Sequence, residues 1–298
     1  MESKTVQPRS ESEYRNLLQY DFPSLDIHTI RVLGSGEDRV AVLVNNAIVF
    51  RLPRNISGKA DAGDMWSTEK EIGLLKTFQL PFDVPRPSHV APDKRYFGYP
   101  FLAGNRWADV VGGQIPSDEL LREWVKTRQV ISRAVTISDA QKLGVPRFSV
   151  DKCVSVANQL ADGGVATSVS RGLQEDADYL REHLGRDVWE FTHNDLNAEN
   201  ILIDKETNKI TAVLDFGDAY IAPRSSDYYL WDKYPHQIME RITQIAHKEG
   251  DDFDVRIARA LHRLYVADDI IEYRKLGQNK EAEQGYLLEL ERCYEIEQ

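Results

Sequence analysis

The 298-residue chain lacks the features that define several classes of protein. It has two cysteines, Cys153 and Cys293, and neither belongs to a C-x-x-C pair or stands beside a histidine pattern typical of zinc sites. We therefore expect neither a disulfide framework nor a zinc site. No apolar run approaches the roughly 20 residues of a membrane-spanning helix, and Met1 to Tyr14 has no apolar core of a signal peptide. These absences predict a cytoplasmic protein without a membrane partner.

Positive charge is also scarce. Lys plus Arg number 37 against 48 Asp plus Glu, which gives a net charge of −11. A nucleic-acid partner is therefore not expected, whereas a cationic small substrate would be attracted. The hydrophobic content of 42% is that of a globular protein, and the length allows two modest lobes. We expect a monomer.

One stretch carries the chemistry of the sequence. His193-Asn194-Asp195 is followed by Asn200, and Asp215-Phe216-Gly217 begins twenty positions after Asp195. A kinase needs one carboxylate that accepts a hydrogen bond from the attacking hydroxyl, and oxygen ligands that hold Mg²⁺ on the nucleotide phosphates. Asp195 suits the first role, and Asn200 and Asp215 suit the second. Protein kinases use the same order, H-R-D-x-x-x-x-N and then D-F-G, so the stretch predicts phosphoryl transfer from ATP or GTP with Mg²⁺.

The residues between these motifs predict a β-hairpin. Residues 201–203 and 210–214 are two short β-branched runs, and residues 204–208 form a polar turn between them. A hairpin of this kind brings Asn200 and Asp215 together at its open end. The alternative is that these residues form an ordinary hairpin whose polar ends have no catalytic role.

The segment resembles the aminoglycoside phosphotransferase family, in which the loop reads H-N-D or H-G-D and the metal motif often reads D-F-G-D-A, as from Asp215 to Ala219. The resemblance implies an α+β, protein-kinase-like bilobal fold with a small antiparallel β N-lobe and a larger, mostly helical C-lobe. The N-lobe would span 1–103 and end in the hinge, and the C-lobe would span 104–298. His193 would act beside Asp195 by bracing the catalytic loop through hydrogen bonds.

The N-lobe is predicted to begin with three antiparallel strands at 27–33, 39–44 and 47–52. The loop after the first strand contains Gly34, Ser35 and Gly36, and in kinases such a loop lies over the phosphates. It also resembles the loop of aminoglycoside 2″-phosphotransferases. On the third strand, Arg51 stands where protein kinases have Lys and would engage phosphate in a bidentate way. The sequence R-L-P-R at 51–54 resembles macrolide phosphotransferases, and Arg51 ending an edge strand remains the alternative.

A helix at 64–78 and a strand at 96–102 are predicted next. Glu71 on the helix is expected to pair with Arg51, with Glu69 as the second choice and a solvated helix face as the alternative. The strand would lead into the hinge, where the nucleotide base would bond to backbone groups near Pro100 and Leu102, with Tyr99 behind it. The choice between ATP and GTP stays open.

The C-lobe is predicted to be helical at 117–136, 149–160, 171–184, 235–247, 255–275 and 278–297. Asp227 is expected to have a structural role near the catalytic loop. The resemblance implies that carboxylates of the late helices hold a cationic acceptor. Asp268 and Glu272 share one helix face with Asp269 beside them, and Asp218 either helps to place substrate or caps a turn. A solvated face is the alternative for the helix residues.

The leading hypothesis is a Mg²⁺-dependent kinase that phosphorylates a hydroxyl of an aminoglycoside antibiotic. The alternatives are a macrolide 2′-phosphotransferase, another small-metabolite kinase, and a catalytically silent module that binds nucleotide. An acidic acceptor pocket would favour aminoglycosides and an apolar pocket would favour macrolides.

Overall fold

The computed structural model describes residues 10–35, 39–53, 62–112, 115–234, 236–276 and 280–295. The strands are β1 (Ile30–Ser35), β2 (Arg39–Val44), β3 (Ile48–Pro53), β4 (His89–Val90), β5 (Phe97–Pro100), β6 (Asn105–Arg106), β7 (Trp189–Thr192), β8 (Ile201–Asp204), β9 (Lys209–Val213) and β10 (Tyr220–Pro223). The α-helices are α1 (Glu11–Asp21), α2 (Ala62–Thr77), α3 (Trp107–Val111), α4 (Asp118–Ala134), α5 (Ile137–Lys142), α6 (Val150–Asp162), α7 (Thr167–His183), α8 (Ser225–Tyr228), α9 (His236–Lys248), α10 (Val255–Leu276) and α11 (Lys280–Glu295), with 3₁₀ turns at Leu184–Arg186 and Tyr229–Trp231. No helix in these ranges is long and apolar enough to cross a membrane.

The first half of the chain builds an antiparallel sheet with the strand order β1-β2-β3-β5-β4. The turn between β2 and β3 places Asn45 and Asn46 at φ 53°, the left-handed conformation that tight hairpins require and that asparagine tolerates. Gly98 on β5 leaves room for Phe50, because a Cβ there would lie 2.6 Å from the Phe50 ring. The predicted small antiparallel lobe is confirmed.

Helix α1 covers one face of this sheet. It begins at Ser10, whose side chain forms a capping box with Glu13. Its apolar positions Tyr14 and Leu18 are buried against a cluster that includes Phe50. Helix α2 packs through Leu74 and Leu75, together with Phe78 directly after its end, into a different cluster, which continues into the second half of the chain.

The hairpin β8-β9 forms as predicted. Ile201 pairs with Val213, and the Leu214 N–H donates to the Asn200 carbonyl at 2.8 Å, so Asn200 and Asp215 lie side by side at its open end. The chain leaves β5 at Pro100 and joins this hairpin as β6, where Asn105 pairs with Ile203. The proposed lobe boundary at 103/104 falls in this connection and stays a prediction.

Gly104 makes the connection possible. Its φ is 144°, and a Cβ at this position would lie 2.8 Å from Thr211 Oγ1. Only glycine combines this backbone conformation with so close an approach to β9.

The rest of the chain is mostly helical, as expected. Helices α6, α7, α10 and α11 bury a second cluster of apolar residues that is separate from the first. The predicted helix at 117–136 forms as α4 but ends at Ala134, because Val135 is extended. Thr136 then accepts a hydrogen bond from Asp139 N–H and caps the separate helix α5. Helix α7 begins four residues earlier than predicted. The short pair β7-β10 was not predicted.

Candidate active site

The loop after β7 presents Asp195 between two carboxamides. Asn197 Nδ2 donates to Asp195 Oδ1 at 2.6 Å and Asn200 Nδ2 donates to Oδ2 at 2.7 Å. Burial, together with the negative charges of Asp218 and Asp215, raises the pKa of Asp195 to about 7. A carboxylate oxygen accepts more than one hydrogen bond, so Asp195 keeps acceptor capacity for a hydroxyl.

His193 braces the loop from inside the core. Its side chain is fully buried, its Nε2 lies 2.9 Å from the Leu214 carbonyl, and its Nδ1 accepts from Asp195 N–H at 3.3 Å. Burial lowers the pKa of His193 to about 4, so the ring is neutral and carries its proton on Nε2. This geometry fits the expected bracing role and does not fit proton transfer to substrate.

Asn194 is held in a left-handed conformation with φ 64°. Its N–H donates to Asp227 Oδ1 at 2.8 Å, its carbonyl accepts from Tyr229 Oη, and its side-chain Oδ1 accepts from Tyr265 Oη, both at 3.2 Å. These bonds hold the residue next to Asp195 from three elements. The predicted structural role of Asp227 agrees with this placement, whereas sequence analysis missed Tyr229 and Tyr265, which no local pattern marks.

The N-lobe contributes a buried cation. Arg51 Nη1 lies 2.5 Å from Glu71 Oε1, and Arg51 Nη2 lies 2.6 Å from Asp215 Oδ1. Although burial disfavours the charge, Glu71 and Asp215 raise the pKa of Arg51, so the guanidinium stays charged. The pairing of Arg51 with Glu71 is present as predicted. Glu69 instead contacts Lys94 at the surface, which removes the second choice.

Asn200 and Asp215 fit a hard divalent cation. Asn200 uses Nδ2 for Asp195, which leaves its Oδ1 for a metal, and Asp215 offers a carboxylate beside it. Burial opposes the charge of Asp215, but the adjacent Arg51 lowers its pKa and keeps it ionised. Carboxylate and carbonyl oxygens are the ligands that Mg²⁺ prefers.

Lys70 is the main residue that sequence analysis missed. It is 5% exposed on α2, and its Nζ donates to the Gly217 carbonyl at 2.5 Å and to the Ala219 carbonyl at 3.5 Å. Burial lowers the pKa of Lys70, whereas the charges of Asp218 and Glu71 raise it. The ammonium thus joins α2 to the loop that carries Asp215 and Asp218.

The other residues predicted to bind nucleotide belong to the first strand, to β5 and to the connection after β5. Gly34 pairs with Ala41 after an irregularity in β1, and a Cβ on Gly34 would meet nothing within 4 Å. Ser35 ends β1, and Gly36 lies outside the described residues. Tyr99 is buried on β5 near Arg51, and burial raises its pKa to about 12. Pro100 ends β5, and Leu102 follows in the connection to β6. Their nucleotide roles stay predictions.

The predicted acceptor carboxylates divide into two groups. The charges of Asp218 and Asp269, like that of Asp195, raise the pKa of the buried Tyr229 phenol. Asp268 instead lies 2.6 Å from Lys152 Nζ, and Glu272 lies 2.9 Å from Lys275 Nζ. The acceptor role of all four stays a prediction.

A cavity of about 350 Å³ adjoins the catalytic loop just after Asp195. We call it the tryptophan cavity, because its walls include Trp107, Trp124 and Trp231 with Tyr234. Catalytic-loop residues, among them Asn197, form one side. Asn197, one of the two residues that donate a hydrogen bond to Asp195, therefore also lines this cavity.

The fold and this loop define a kinase-like phosphotransferase. Residues 74–270 match the phosphotransferase enzyme family, and the chain belongs to that family.

Solved structures share the fold at low sequence identity. The GDP complex of wild-type aminoglycoside 2′-phosphotransferase-IIIa is 20% identical with a TM-score of 0.81, over 97% of this chain and 100% of that one. Macrolide 2′-phosphotransferase type I is 17% identical with a TM-score of 0.71, over 95% and 98%. A gentamicin complex of APH(2″)-IIa is 17% identical with a TM-score of 0.70, over 95% and 96%.

Proposed function

We propose that this chain transfers the γ-phosphoryl group of ATP or GTP to a hydroxyl of a small amine-bearing molecule in a Mg²⁺-dependent reaction, with aminoglycosides as the first class of acceptor. The observation that carries the proposal is that charged residues of the N-terminal sheet and helix meet the catalytic loop and the end of the hairpin. Arg51, held by Glu71 at 2.5 Å, reaches Asp215 at 2.6 Å, and Asn200 at the same hairpin end bonds to Asp195 at 2.7 Å.

Each residue has a definite task in such a transfer. Asp195 accepts the hydrogen bond of the acceptor hydroxyl and turns its oxygen toward the γ-phosphorus. As the new P–O bond forms, Asp195 takes the hydroxyl proton, the bond from the γ-phosphorus to the bridging oxygen breaks, and the nucleoside diphosphate leaves. Arg51 donates to the nucleotide phosphates. Asn200 and Asp215 would hold Mg²⁺, which when bound neutralises charge on the phosphates. His193 and Asp227 keep the catalytic loop in place.

An amine-bearing acceptor is supported by charge. The charges of Asp218 and Asp269, like that of Asp195, act on the phenol of Tyr229, and carboxylates attract ammonium groups. The chain also carries a net charge of −11. Among the similar structures, one is described as a GDP and kanamycin complex and another as a streptomycin and ATP complex.

Macrolides are the second candidate class, and one observation favours them. The tryptophan cavity next to Asn197 is walled by aromatic rings, which suits an apolar molecule better than a polycation. The remaining alternative is a module that binds nucleotide without catalysing transfer. The presence of Asp195, Asn200 and Asp215 together argues against it.

The test is nucleotide consumption by the purified protein with ATP and with GTP, in the presence of aminoglycosides, macrolides and simple amino alcohols in turn. We expect acceptor-dependent release of nucleoside diphosphate that stops when EDTA removes Mg²⁺. Consumption that no acceptor stimulates would contradict the proposal.

A further inference from the structure

A cluster of potential metal ligands lies among the late helices. A carboxylate oxygen of Asp232, a ring nitrogen of His262 and the Sγ atom of Cys293 all lie within 4.8 Å of one another. Asp232 directly follows the 3₁₀ turn at Tyr229–Trp231, His262 lies on α10, and Cys293 lies on α11. The cluster therefore joins three elements, and it shares no residue with the predicted Mg²⁺ site.

The distances within the cluster fit a tetrahedral ion. Zn²⁺ forms bonds of about 2.0–2.3 Å to oxygen, nitrogen and sulfur, so its ligand atoms stand roughly 3.3–3.8 Å apart. His262 Nδ1 is 3.2 Å from Asp232 Oδ2, and the Cys293 thiol lies at most about 1 Å beyond these separations. Three protein ligands leave the fourth position of the ion to water.

Glu289 supplies the support that a metal-binding histidine needs. Its Oε1 is 3.2 Å from His262 Nε2, the ring nitrogen that faces away from Asp232. A histidine that binds a metal through one nitrogen usually donates the N–H of the other to a carboxylate, which fixes the orientation of the ring. Glu289 and Cys293 are one turn apart on α11. The side chain of Glu289 is 37% exposed, which leaves the ion a path from solvent.

The donor set selects Zn²⁺ over Mg²⁺. Thiolate and imidazole suit zinc, whereas Mg²⁺ prefers oxygen ligands alone. In the metal-free chain, although burial opposes the charge, Asp232, Cys293 and Glu289 raise the pKa of His262, so its ring is an imidazolium. Zn²⁺ would replace one proton of this ring and the thiol proton of Cys293, which leaves the charge of the cluster unchanged. Stability measurements on the metal-free chain therefore require a chelator.

We propose that Asp232, His262 Nδ1 and Cys293 bind one Zn²⁺ ion, which fixes α10 and α11 to the segment that supports the catalytic loop. Tyr229 makes this connection, because its ring centroid is 6.4 Å from that of His262 and its hydroxyl donates to the Asn194 carbonyl. The site is structural and does not depend on the phosphoryl transfer proposed above. No zinc site was expected from the sequence, because zinc patterns require ligands close together along the chain, whereas Asp232 and His262 are 30 residues apart.

The test is zinc binding by the full-length protein after metals are removed with EDTA and the EDTA is dialysed away. Zn²⁺ is titrated against a chromophoric chelator, with excess Mg²⁺ present to occupy the site predicted at Asn200 and Asp215. The chain has two cysteines, so Cys293→Ala is matched by Cys153→Ala, which removes the buried thiol of α6.

We expect one Zn²⁺ per chain in the wild type and in Cys153→Ala. In Glu289→Gln, which alters the support of His262, the zinc affinity should fall about 10- to 100-fold. In Cys293→Ala, which removes a ligand itself, it should fall by more than this range. Zinc should also raise the melting temperature of the wild type and of Cys153→Ala, and the rise should be lost in Cys293→Ala.

Cobalt identifies the ligand directly, because Co²⁺ bound to a thiolate has a sulfur-to-metal charge-transfer band in the near ultraviolet. The band should appear in the wild type and in Cys153→Ala and be absent from Cys293→Ala. If Cys293→Ala does not fold, the band in Cys153→Ala still decides, since Cys293 is then the only thiol left in the chain. A cobalt complex without this band would overturn the inference. So would equal zinc affinities in the two alanine variants, or zinc that excess Mg²⁺ displaces.

Discussion

Removing the buried ammonium of Lys70 should slow phosphoryl transfer without unfolding the protein. Lys70 Nζ bonds to the carbonyls of Gly217 and Ala219 on either side of Asp218. In a Lys70→Met variant the apolar stem remains and the charge is lost. Burial disfavours the charge, as the lowered pKa of Lys70 indicates, and this offsets part of the loss of its hydrogen bonds. The variant should therefore stay folded with only a modestly lower melting temperature.

The rate of transfer should fall because the loop that carries Asp215 and Asp218 loses its hydrogen bonds to Lys70. A hydrogen bond from a charged donor contributes about 1.5–3 kcal/mol. If the loop needs this bond to reach the geometry of transfer, the same free energy is added to the barrier. At about 1.4 kcal/mol per tenfold change in rate, kcat falls roughly 10- to 100-fold. The assay is a coupled measurement of nucleoside diphosphate release with the best acceptor, together with a melting curve. The nucleotide KM should change much less than kcat.

The control is Lys76→Met, which removes an exposed lysine from the last turn of the same helix. Lys70→Arg keeps the charge and should recover part of the rate. A wild-type kcat in Lys70→Met would refute the reasoning. So would a loss of kcat that merely follows a large drop in melting temperature.

Two further predictions concern stability. His262 lies between Asp232 and Glu289, each at 3.2 Å, and although burial opposes its charge, these partners raise its pKa to about 11. The pKa is higher in the folded state, so the stabilisation is complete below the unfolded pKa near 6.5 and is lost as pH rises toward 11. His262→Gln should therefore cost about 1.5–3 kcal/mol at pH 6 and less at pH 9 in urea unfolding. Gly98→Ala should cost about 1–3 kcal/mol by overpacking, because its Cβ would lie 2.6 Å from the Phe50 ring.

Each stability prediction has a matched control. The side chain of His28 is 73% exposed, so His28→Gln should cost little stability in the same unfolding experiment. Gly285 lies within α11 with open space around it, and Gly285→Ala should stabilise by up to about 1 kcal/mol. A pH-independent loss in His262→Gln, or equal melting temperatures for Gly98→Ala and the wild type, would contradict the respective accounts.

Local patterns carried the sequence-based prediction of the fold. The hairpin that joins Asn200 to Asp215 was predictable because both strands and the turn between them lie within the thirteen residues from Ile201 to Val213. Helix ends were less predictable. The long helix ends at Ala134, two residues before the predicted end, and the short helix α5, which Thr136 caps through Asp139 N–H, was not predicted.

The site was predictable where chemistry constrains spacing and not where packing alone sets position. Asp195, Asn200 and Asp215 stand at fixed intervals along one segment. Lys70 lies 147 residues from Gly217, and Tyr265 lies 71 residues from Asn194. Nothing in a helix pattern marks which lysine or tyrosine will meet a loop so distant in the chain. The ion pair between Asp268 and Lys152 was not predicted either, because it joins α10 and α6, whose packing no local signal reveals.

The most direct test of the central claim is Asp195→Ala, with Asp178→Ala as a control at an exposed carboxylate of α7. We expect Asp195→Ala to lose transfer by at least about 100-fold, the range for a positioned acid or base, and to keep a nucleotide-dependent rise in melting temperature. Asp178→Ala should retain wild-type transfer. Retained turnover in a folded Asp195→Ala protein would contradict the account.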